Sequence, residues 1–199
     1  MQELKIHLFG GVEIVLNDVP LGSFLSTKAP ALLAYLAVTG RPHRREALAG
    51  LLWGDLPEAA ATNNLRQVLT NLRKSLDPFL LVTRETVELN PAQSCRLHVA
   101  EFEALLAPAP GLAPAERMRR LQAAADLYRG DFLAGFYVRE ALDFEEWMLA
   151  QRARYRELAL NARHTLAQRH LEAGEYDAAI HAAAALLALD PWRSPPANG

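Results

Sequence analysis

One predicted helix presents side chains that can hydrogen-bond to nucleic-acid bases and phosphates. Leu65, Leu69 and Leu72 recur at the three- and four-residue spacing of a helix that ends near Leu76, and they define its buried side. The opposite side carries amides, hydroxyls and cations, and the stretch 62–75 contains no acidic residue. In the major groove of DNA, Asn and Gln amides pair with adenine and Arg pairs with guanine, whereas Lys and Arg also bind phosphates. This outer face therefore predicts DNA binding.

Position on the outer face separates two predicted roles. Side chains at the centre of the exposed side are suited to base edges, and those nearer the helix end are suited to phosphates, which supply salt-dependent affinity. A solvated amphipathic helix also has a polar outer side, so the helix alone leaves that alternative open. We expect Asn63, Arg66, Gln67 and Thr70 to read bases, and Asn71, Arg73 and Lys74 to hold phosphates.

The elements before this helix predict how it is supported. The β-rich stretches 4–9, 12–16 and 19–21 are separated by Gly10-Gly11 and Asn17-Asp18, which are residue pairs typical of tight turns. They predict a small antiparallel sheet at the start of the chain.

Two further helices are predicted between the sheet and the third helix. The first starts after an N-cap at Thr27 and ends at Gly40, and the second ends at Gly54. Asp55 is placed to cap the third helix, and Glu58 stands three residues further on, as in a capping box.

A hairpin is predicted after the third helix, because the β-rich stretch 79–89 has a polar tip. The tip adds Thr83, Arg84 and Thr86 to the expected phosphate contacts. The order of sheet, three helices and hairpin within residues 1–95 is that of a winged helix-turn-helix with an N-terminal sheet. The first half is therefore predicted to be an α+β DNA-binding domain.

The second half predicts an all-α domain over residues 96–193. Residues 91–97 are interpreted as a connector, and helices are expected from near Val99, from Pro114 to Tyr128, and from Asp143 to just before Gly174. The buried stripe of the longest helix is predicted to contain Phe144, Trp147, Met148, Tyr155, Leu158, Ala162 and Leu166.

The end of the second half has the spacing of a tetratricopeptide motif. Gly174 is placed to turn the chain between two helices, and Pro191 is placed to end the second of them. A single degenerate copy cannot stack into a solenoid, because each repeat needs neighbours to bury its faces. The apolar flank 186–189 therefore favours either a homodimer through the helical domain or a missing further domain, with the tail 194–199 as a candidate truncation point.

The composition excludes several classes of protein. A formal charge of −2 and an isoelectric point near 6.3 do not suit a protein that coats nucleic acid by bulk positive charge. Cys95 is the only cysteine, so the chain has no internal disulfide and fits a reducing, cytoplasmic environment. The longest apolar run, 182–189, is too short to span a bilayer, so no membrane association is expected.

No residue pattern predicts catalysis, a metal or a cofactor. The stretch 22–28 lacks the glycine that precedes the lysine of a phosphate-binding loop. The six histidines lack metal-ligand spacing, and the acidic residues near Asp143 are explained by a helix start. An enzyme is therefore not expected.

Several segments together resemble a known family. In the first half these are KAPALLAYLA (28–37), EALA (46–49) with LLW (51–53), NNLRQ (63–67) and LR (72–73). In the second half they are LYRGDFL (127–133) and EW (146–147). The first set resembles the antibiotic regulatory protein family of bacterial activators, and the second resembles the bacterial transcriptional activator domain that follows the winged helix in that family.

The resemblance implies a winged helix similar to that of response regulators, followed by a tetratricopeptide-like helical domain that dimerises or contacts partners. It places the third helix in the major groove and the hairpin against the neighbouring backbone. The segment between the second and third helices would face RNA polymerase, which here gives Trp53, Asp55 and Leu56, although a Trp that ends a short helix is more often packed in the core. Pro30 stands where the family more commonly has Arg or another helix former, which argues against a phosphate contact from the start of the first helix.

The sequence thus predicts a sequence-specific regulator that binds double-stranded DNA, activating transcription from repeated promoter sites by contacting RNA polymerase. The alternative is an interaction scaffold whose winged helix no longer binds DNA. A scaffold predicts an apolar or acidic outer face on the third helix, whereas this face is amide-rich and basic.

Overall fold

The computed structural model describes residues 2–22 and 24–189. The first three strands of the chain lie in one four-stranded sheet. Strands β1 (Glu3–His7), β2 (Glu13–Leu16) and β3 (Val19–Pro20) pair antiparallel in sequence order, as expected. The turn between β2 and β3 uses positive φ angles of 51° at Asn17 and 63° at Asp18.

A fourth strand was missed by the sequence pattern. Strand β7 (Ser94–Leu97) pairs parallel with β1, so that the sheet order is β3-β2-β1-β7. The connector interpretation of this stretch is therefore wrong. The free edge of β1 offers unpaired backbone groups, and pairing with it stabilises a short strand whose own composition gives little signal.

Three helices follow the first three strands. They are α1 (Lys28–Thr39), α2 (Arg45–Trp53) and α3 (Glu58–Leu76). A short 3-10 helix (Asp77–Phe79) leads from α3 into the hairpin of β5 (Leu80–Val82) and β6 (Thr86–Leu89). A two-residue strand, β4 (His43–Arg44), pairs with β6, which gives a second sheet of order β4-β6-β5.

Two predicted helix caps are wrong. Thr27 precedes α1 but makes no side-chain cap, and the Lys28 backbone N–H donates instead to Ser26 Oγ at 3.1 Å. Asp55 does not cap α3, because the extended residue before the helix is Pro57, whose carbonyl accepts from the next turn at 2.9 Å. The fixed φ of proline suits this position and moves the start of the helix past Asp55.

The remaining described residues fold into four helices. These are α4 (His98–Leu106), α5 (Pro114–Leu127), α6 (Leu142–Glu172) and α7 (Tyr176–Leu189). The predicted stripe of α6 faces inward, since five of its seven members are buried and Trp147 and Leu158 are half-buried. Gly174 turns the chain between α6 and α7 with φ +74°. The predicted helix end at Pro191 and the tail 194–199 lie outside the described residues.

One hydrophobic core runs through both halves of the chain. Phe9, in the loop after β1, has ring centroids 4.9 to 5.4 Å from the rings of Phe102, Tyr128 and Tyr155. Phe132 forms isolated β-bridges with Phe9 and Gly11 of the same loop. The Arg152 guanidinium donates to the Phe132 and Leu133 carbonyls, both at 2.9 Å, and holds this backbone in place. We call this contact between the β1–β2 loop and residues 129–133 the joint.

The architecture is thus α+β, with strands and three helices first and a helical part second. The predicted division at residue 95 falls inside β7 and stays a prediction. Among the described residues, no helix has the length and hydropathy needed to cross a membrane.

Candidate nucleic-acid interface

Helix α3 has one apolar side and one polar side, as its sequence predicts. The buried residues are Ala61, Leu65, Val68, Leu69, Leu72 and Leu76, and they pack against α1 and α2. Of the seven candidate residues on the other side, six are exposed and Asn71 is half-buried. The core contacts of α3 therefore fix the orientation of its polar side toward solvent.

Near the start of the outer face, two candidate residues are bonded to each other. Arg66 Nη2 donates to Asn63 Oδ1 at 2.8 Å, and Thr70 Oγ1 donates to the Arg66 carbonyl at 2.8 Å. Gln67 follows Arg66 on the same outer side and forms no hydrogen bond with the described residues. Its side-chain amide is therefore available both to donate and to accept hydrogen bonds.

Near the end of α3, the two predicted phosphate-binding cations differ. Arg73 Nε donates to Asp77 Oδ1 at 2.7 Å across one helical turn, whereas Lys74 has no ionic partner among the described residues. Asp77 was missed as a functional residue because it lies just beyond the acid-free stretch. The local charge of this end is therefore lower than the sequence count of α3 suggests.

Asn71 and Lys74 also line a cleft of about 410 Å³ beside the helix. Its opposite wall is the segment before α1, which contributes Leu21, Phe24 and Leu25. Asn71 is thus turned partly toward this segment, and it is half-buried whereas the predicted phosphate contacts Arg73 and Lys74 on the same helix are exposed.

At the tip of the β5–β6 hairpin, the two threonines build the turn. Thr83 Oγ1 accepts from the backbone N–H groups of Glu85 and Thr86 at 3.1 and 2.8 Å, and it lies 3.0 Å from Thr86 Oγ1. Their hydroxyls are therefore occupied, unlike the exposed guanidinium of Arg84, which has no hydrogen bond or ion pair with the described residues.

Arg45 holds the same tip from α2. Its backbone N–H donates to the Glu85 carbonyl at 2.8 Å and its Nη1 donates to the Thr83 carbonyl at 3.2 Å. The sequence gives no sign of a role for Arg45, because nothing near residue 45 shows that β4 pairs with β6. Only that long-range pairing brings the start of α2 to the hairpin tip.

The segment between α2 and α3 divides into a buried and an exposed part. Trp53 is 7% exposed, and Lys28 Nζ lies 5.0 Å above its ring, so the indole is packed in the core rather than presented to a partner. Asp55 and Leu56 are exposed. Of the three predicted polymerase contacts, these two remain accessible.

Lys28 itself connects the two halves of the chain. Its Nζ donates to the Leu52 carbonyl at the end of α2 and to the Glu140 carbonyl before α6. Burial lowers the pKa of Lys28 from its ordinary value. The cation at the start of α1 is therefore used internally.

The described residues contain no group of three or more His, Cys, Asp or Glu side chains that could hold a metal ion. Burial raises the pKa of the Cys95 thiol to about 11, so this cysteine is protonated at neutral pH. The groups gathered on α3 and the hairpin are suited to hydrogen bonding and charge pairing.

Comparison with known proteins identifies the second half most directly. Residues 93–197 match the bacterial transcriptional activator domain. No curated protein matches the sequence. Among solved structures, the fold is similar to Mycobacterium tuberculosis EmbR in complex with a low-affinity phosphopeptide, with a TM-score of 0.73 and 25% sequence identity.

That match covers 97% of this chain and 52% of the EmbR chain, so the protein spans about half the length of this relative. The similarity extends over both the α+β first part and the helical second part. Since the activator-domain match covers more than half of the residues, the chain belongs to the bacterial transcriptional activator domain family, and its similarity to EmbR supports a regulator of the antibiotic regulatory protein type.

Proposed function

We propose that the protein binds double-stranded DNA sequence-specifically and activates transcription. In this proposal the first part is a winged helix-turn-helix, α3 is its recognition helix and the β5–β6 hairpin is its wing. The observation that supports it best is the outer side of α3, where exposed amide, hydroxyl and cationic groups stand opposite a fully packed core side. An α-helix with such a face fits the major groove.

The roles of individual residues follow from their available groups. Gln67 offers a free amide for a base edge, and the bonded pair of Asn63 and Arg66 is pre-ordered for neighbouring bases. Thr70 completes the base-reading set. Lys74 and Arg84 are the cations best placed for phosphates, because Arg73 is paired with Asp77.

The proposal includes partners beyond DNA. Asp55 and Leu56 are the accessible residues for contact with RNA polymerase, by resemblance to related activators. The helical part would form a homodimer, which suits repeated promoter sites. We also propose that the protein acts in the cytoplasm, without a cofactor and without enzymatic activity. The phosphopeptide named for EmbR is a property of EmbR and is not part of this proposal.

The second candidate function is an interaction scaffold that has lost DNA binding. The half-buried position of Asn71 and the pairing of Arg73 favour it, because both reduce the number of groups available for phosphate. The free groups of Gln67, Lys74 and Arg84 weigh against it.

Selection from a randomised duplex pool across a salt series tests the two functions. DNA binding predicts an enriched, repeated motif and an affinity that falls steeply with salt, because bound phosphates release counterions. Weak binding at low salt without any enriched sequence would support the scaffold.

Two substitutions then test the division of roles on α3. Lys74→Ala should weaken binding to all duplexes and lower the salt slope by about one, whereas Gln67→Ala should relax the preference at one base position. Equal losses on selected and random DNA for both variants would contradict that division.

A further inference from the structure

Arg45 holds the backbone on both sides of Arg84. The two carbonyls that accept from Arg45 belong to Thr83 and Glu85, the residues immediately before and after Arg84 in the hairpin tip. One bond comes from the Arg45 backbone at 2.8 Å and the other from its guanidinium at 3.2 Å. The path of the chain through Arg84 is therefore fixed from outside the hairpin.

The tip is also closed by its own bonds. Thr83 Oγ1 accepts from two backbone N–H groups of the turn, and the Thr83 N–H donates to the Thr86 carbonyl at 2.9 Å. Arg44, the residue before Arg45, pairs with Thr86 in the β4–β6 ladder. Residues 83–86 are thus restrained together by the β4–β6 pairing, by the bonds within the turn and by the Arg45 side chain.

This arrangement leaves one cation at the tip with its charged group available. Arg84 is exposed and unpaired among the described residues, whereas Arg45 is half-buried with its guanidinium donating to the Thr83 carbonyl. Ordering a flexible loop on binding reduces affinity, because conformational freedom is lost at that step. A tip that is ordered before DNA arrives avoids most of that loss.

We propose that Arg45 is a positioning residue for DNA binding, acting through Arg84 by holding the hairpin tip in its binding conformation. The inference rests on the proposed function, since it assigns Arg84 to a DNA phosphate. It differs from a direct role in which the Arg45 guanidinium itself binds a phosphate. The two roles make different predictions for combined substitutions.

A double-mutant cycle separates them, using the full chain and the duplex enriched by selection. Arg45→Ala and Arg84→Ala are each expected to weaken binding about fivefold, the upper range for one exposed charge contact. If Arg45 acts only through Arg84, the double variant should bind as weakly as Arg84→Ala, within about twofold. An additive loss of about 25-fold would overturn the proposal and assign Arg45 a contact of its own.

Arg41→Ala is the matched control for charge. Arg41 is an exposed arginine on the α1–β4 loop and forms no bond with the hairpin tip. Its removal changes the net charge by the same amount, and its effect on binding should be equal in the wild-type and Arg84→Ala backgrounds. A cycle that is non-additive for Arg41 as well would show that long-range charge, rather than positioning, causes the coupling.

Amide hydrogen exchange gives a second measurement that does not depend on DNA. In Arg45→Ala the amides of Glu85 and Thr86 should exchange faster than in the wild type, while those of the α3 core should not change. Unchanged exchange at the tip would overturn the positioning role. A wild-type chain that binds no duplex would overturn the proposed function together with this inference, whereas an additive cycle in a chain that binds would overturn the inference alone.

Discussion

The outer side of α3 and the joint between the two halves use polar groups in opposite ways. At the joint, backbone groups are paired across the contact: the Gly10 N–H donates to the Asp131 carbonyl at 3.1 Å, and the Leu133 N–H donates to the Leu8 carbonyl at 2.8 Å. On α3, the heads of Gln67 and Lys74 have no partner among the described residues. Paired polar groups at a buried contact indicate structure, and ordered but unpaired groups at a surface are available to a partner.

This difference predicts two separate kinds of mutational effect. Changes at the joint should lower the free energy of unfolding without altering which DNA is bound. Changes on the outer side of α3 should alter DNA binding while leaving stability within about 0.5 kcal/mol, as for most surface substitutions.

The largest effect is expected for Gly130→Ala. Gly130 has φ +157°, and an added Cβ would lie 3.1 Å from Gly10 Cα. Backbone strain and a contact with another main chain act together here, so the free energy of unfolding should fall by ~3 kcal/mol. Denaturant unfolding measures the change, and the affinity of the folded variant for DNA should equal that of the wild type.

Gly111→Ala is the matched control for that substitution. Gly111 also has a positive φ, +84°, but nothing lies within 4 Å of an added Cβ. Only the backbone strain remains, and the loss should be about 1 kcal/mol. If both variants lose the same free energy of unfolding, the close approach of an added Cβ at Gly130 to Gly10 does not affect stability.

An intermediate effect is expected from acid. Burial lowers the pKa of His7, His43 and His98 below the ordinary 6.5, with the neighbouring Arg41 also acting on His43 and Arg129 on the other two. The folded state therefore keeps these rings neutral, while the unfolded chain takes up protons as the pH falls below about 6.5. The free energy of unfolding should fall from that pH downward and level off below the folded pKa values, with a slope of at most ~1.4 kcal/mol per pH unit for each histidine.

His43→Gln tests how much one of these three histidines contributes to the loss of stability in acid. His43 Nε2 lies 2.7 Å from Thr39 Oγ1, whose own proton goes to the Tyr35 carbonyl, so the ring donates its Nε2–H to the threonine. A glutamine amide can donate in the same way and does not titrate. The stability of this variant should fall less steeply with acid than that of the wild type, and identical slopes would show that His43 does not contribute to the acid sensitivity.

The two regions also differ in how much the sequence predicts. The spacing of Leu65, Leu69 and Leu72 is a local signal, and it correctly predicts both α3 and its buried side. The joint depends on contacts between residues far apart in the chain, such as Leu8 with Leu133, and the β1–β7 pair likewise depends on Ile6 with Leu97. No local pattern predicts such pairings. For this reason the sequence missed β7 and Arg45.

At the candidate interface, the sequence predicts which polar residues are present. It does not predict which of their side-chain groups are free of internal hydrogen bonds and ion pairs. The sequence predicts phosphate contacts from Thr83 and Thr86, but their hydroxyls close the turn. The sequence also predicts a phosphate contact from Arg73, but the 3-10 helix after α3 brings Asp77 within one turn of it. Availability depends on backbone geometry and neighbours that residue counting does not include.

The smallest effect is expected for Asp77→Asn. This variant tests whether the ion pair with Asp77 keeps the Arg73 guanidinium from binding DNA. Both side chains of the Arg73–Asp77 pair are more than half exposed, and such pairs contribute about 0 to 1 kcal/mol to stability, so the variant should fold normally. Removing the carboxylate frees the Arg73 guanidinium and removes one negative charge near the proposed phosphate contacts. Affinity for any duplex should rise about twofold, with a salt slope steeper by up to about one.

Arg73→Ala completes this test. In the wild type it should weaken binding less than Lys74→Ala, because Arg73 is already paired, whereas in the Asp77→Asn background the two losses should become similar. If Arg73→Ala has no effect in either background while Lys74→Ala retains its full effect, Arg73 lies away from the DNA backbone. The boundary of the interface would then fall between these two adjacent residues, because consecutive side chains on a helix point about 100° apart.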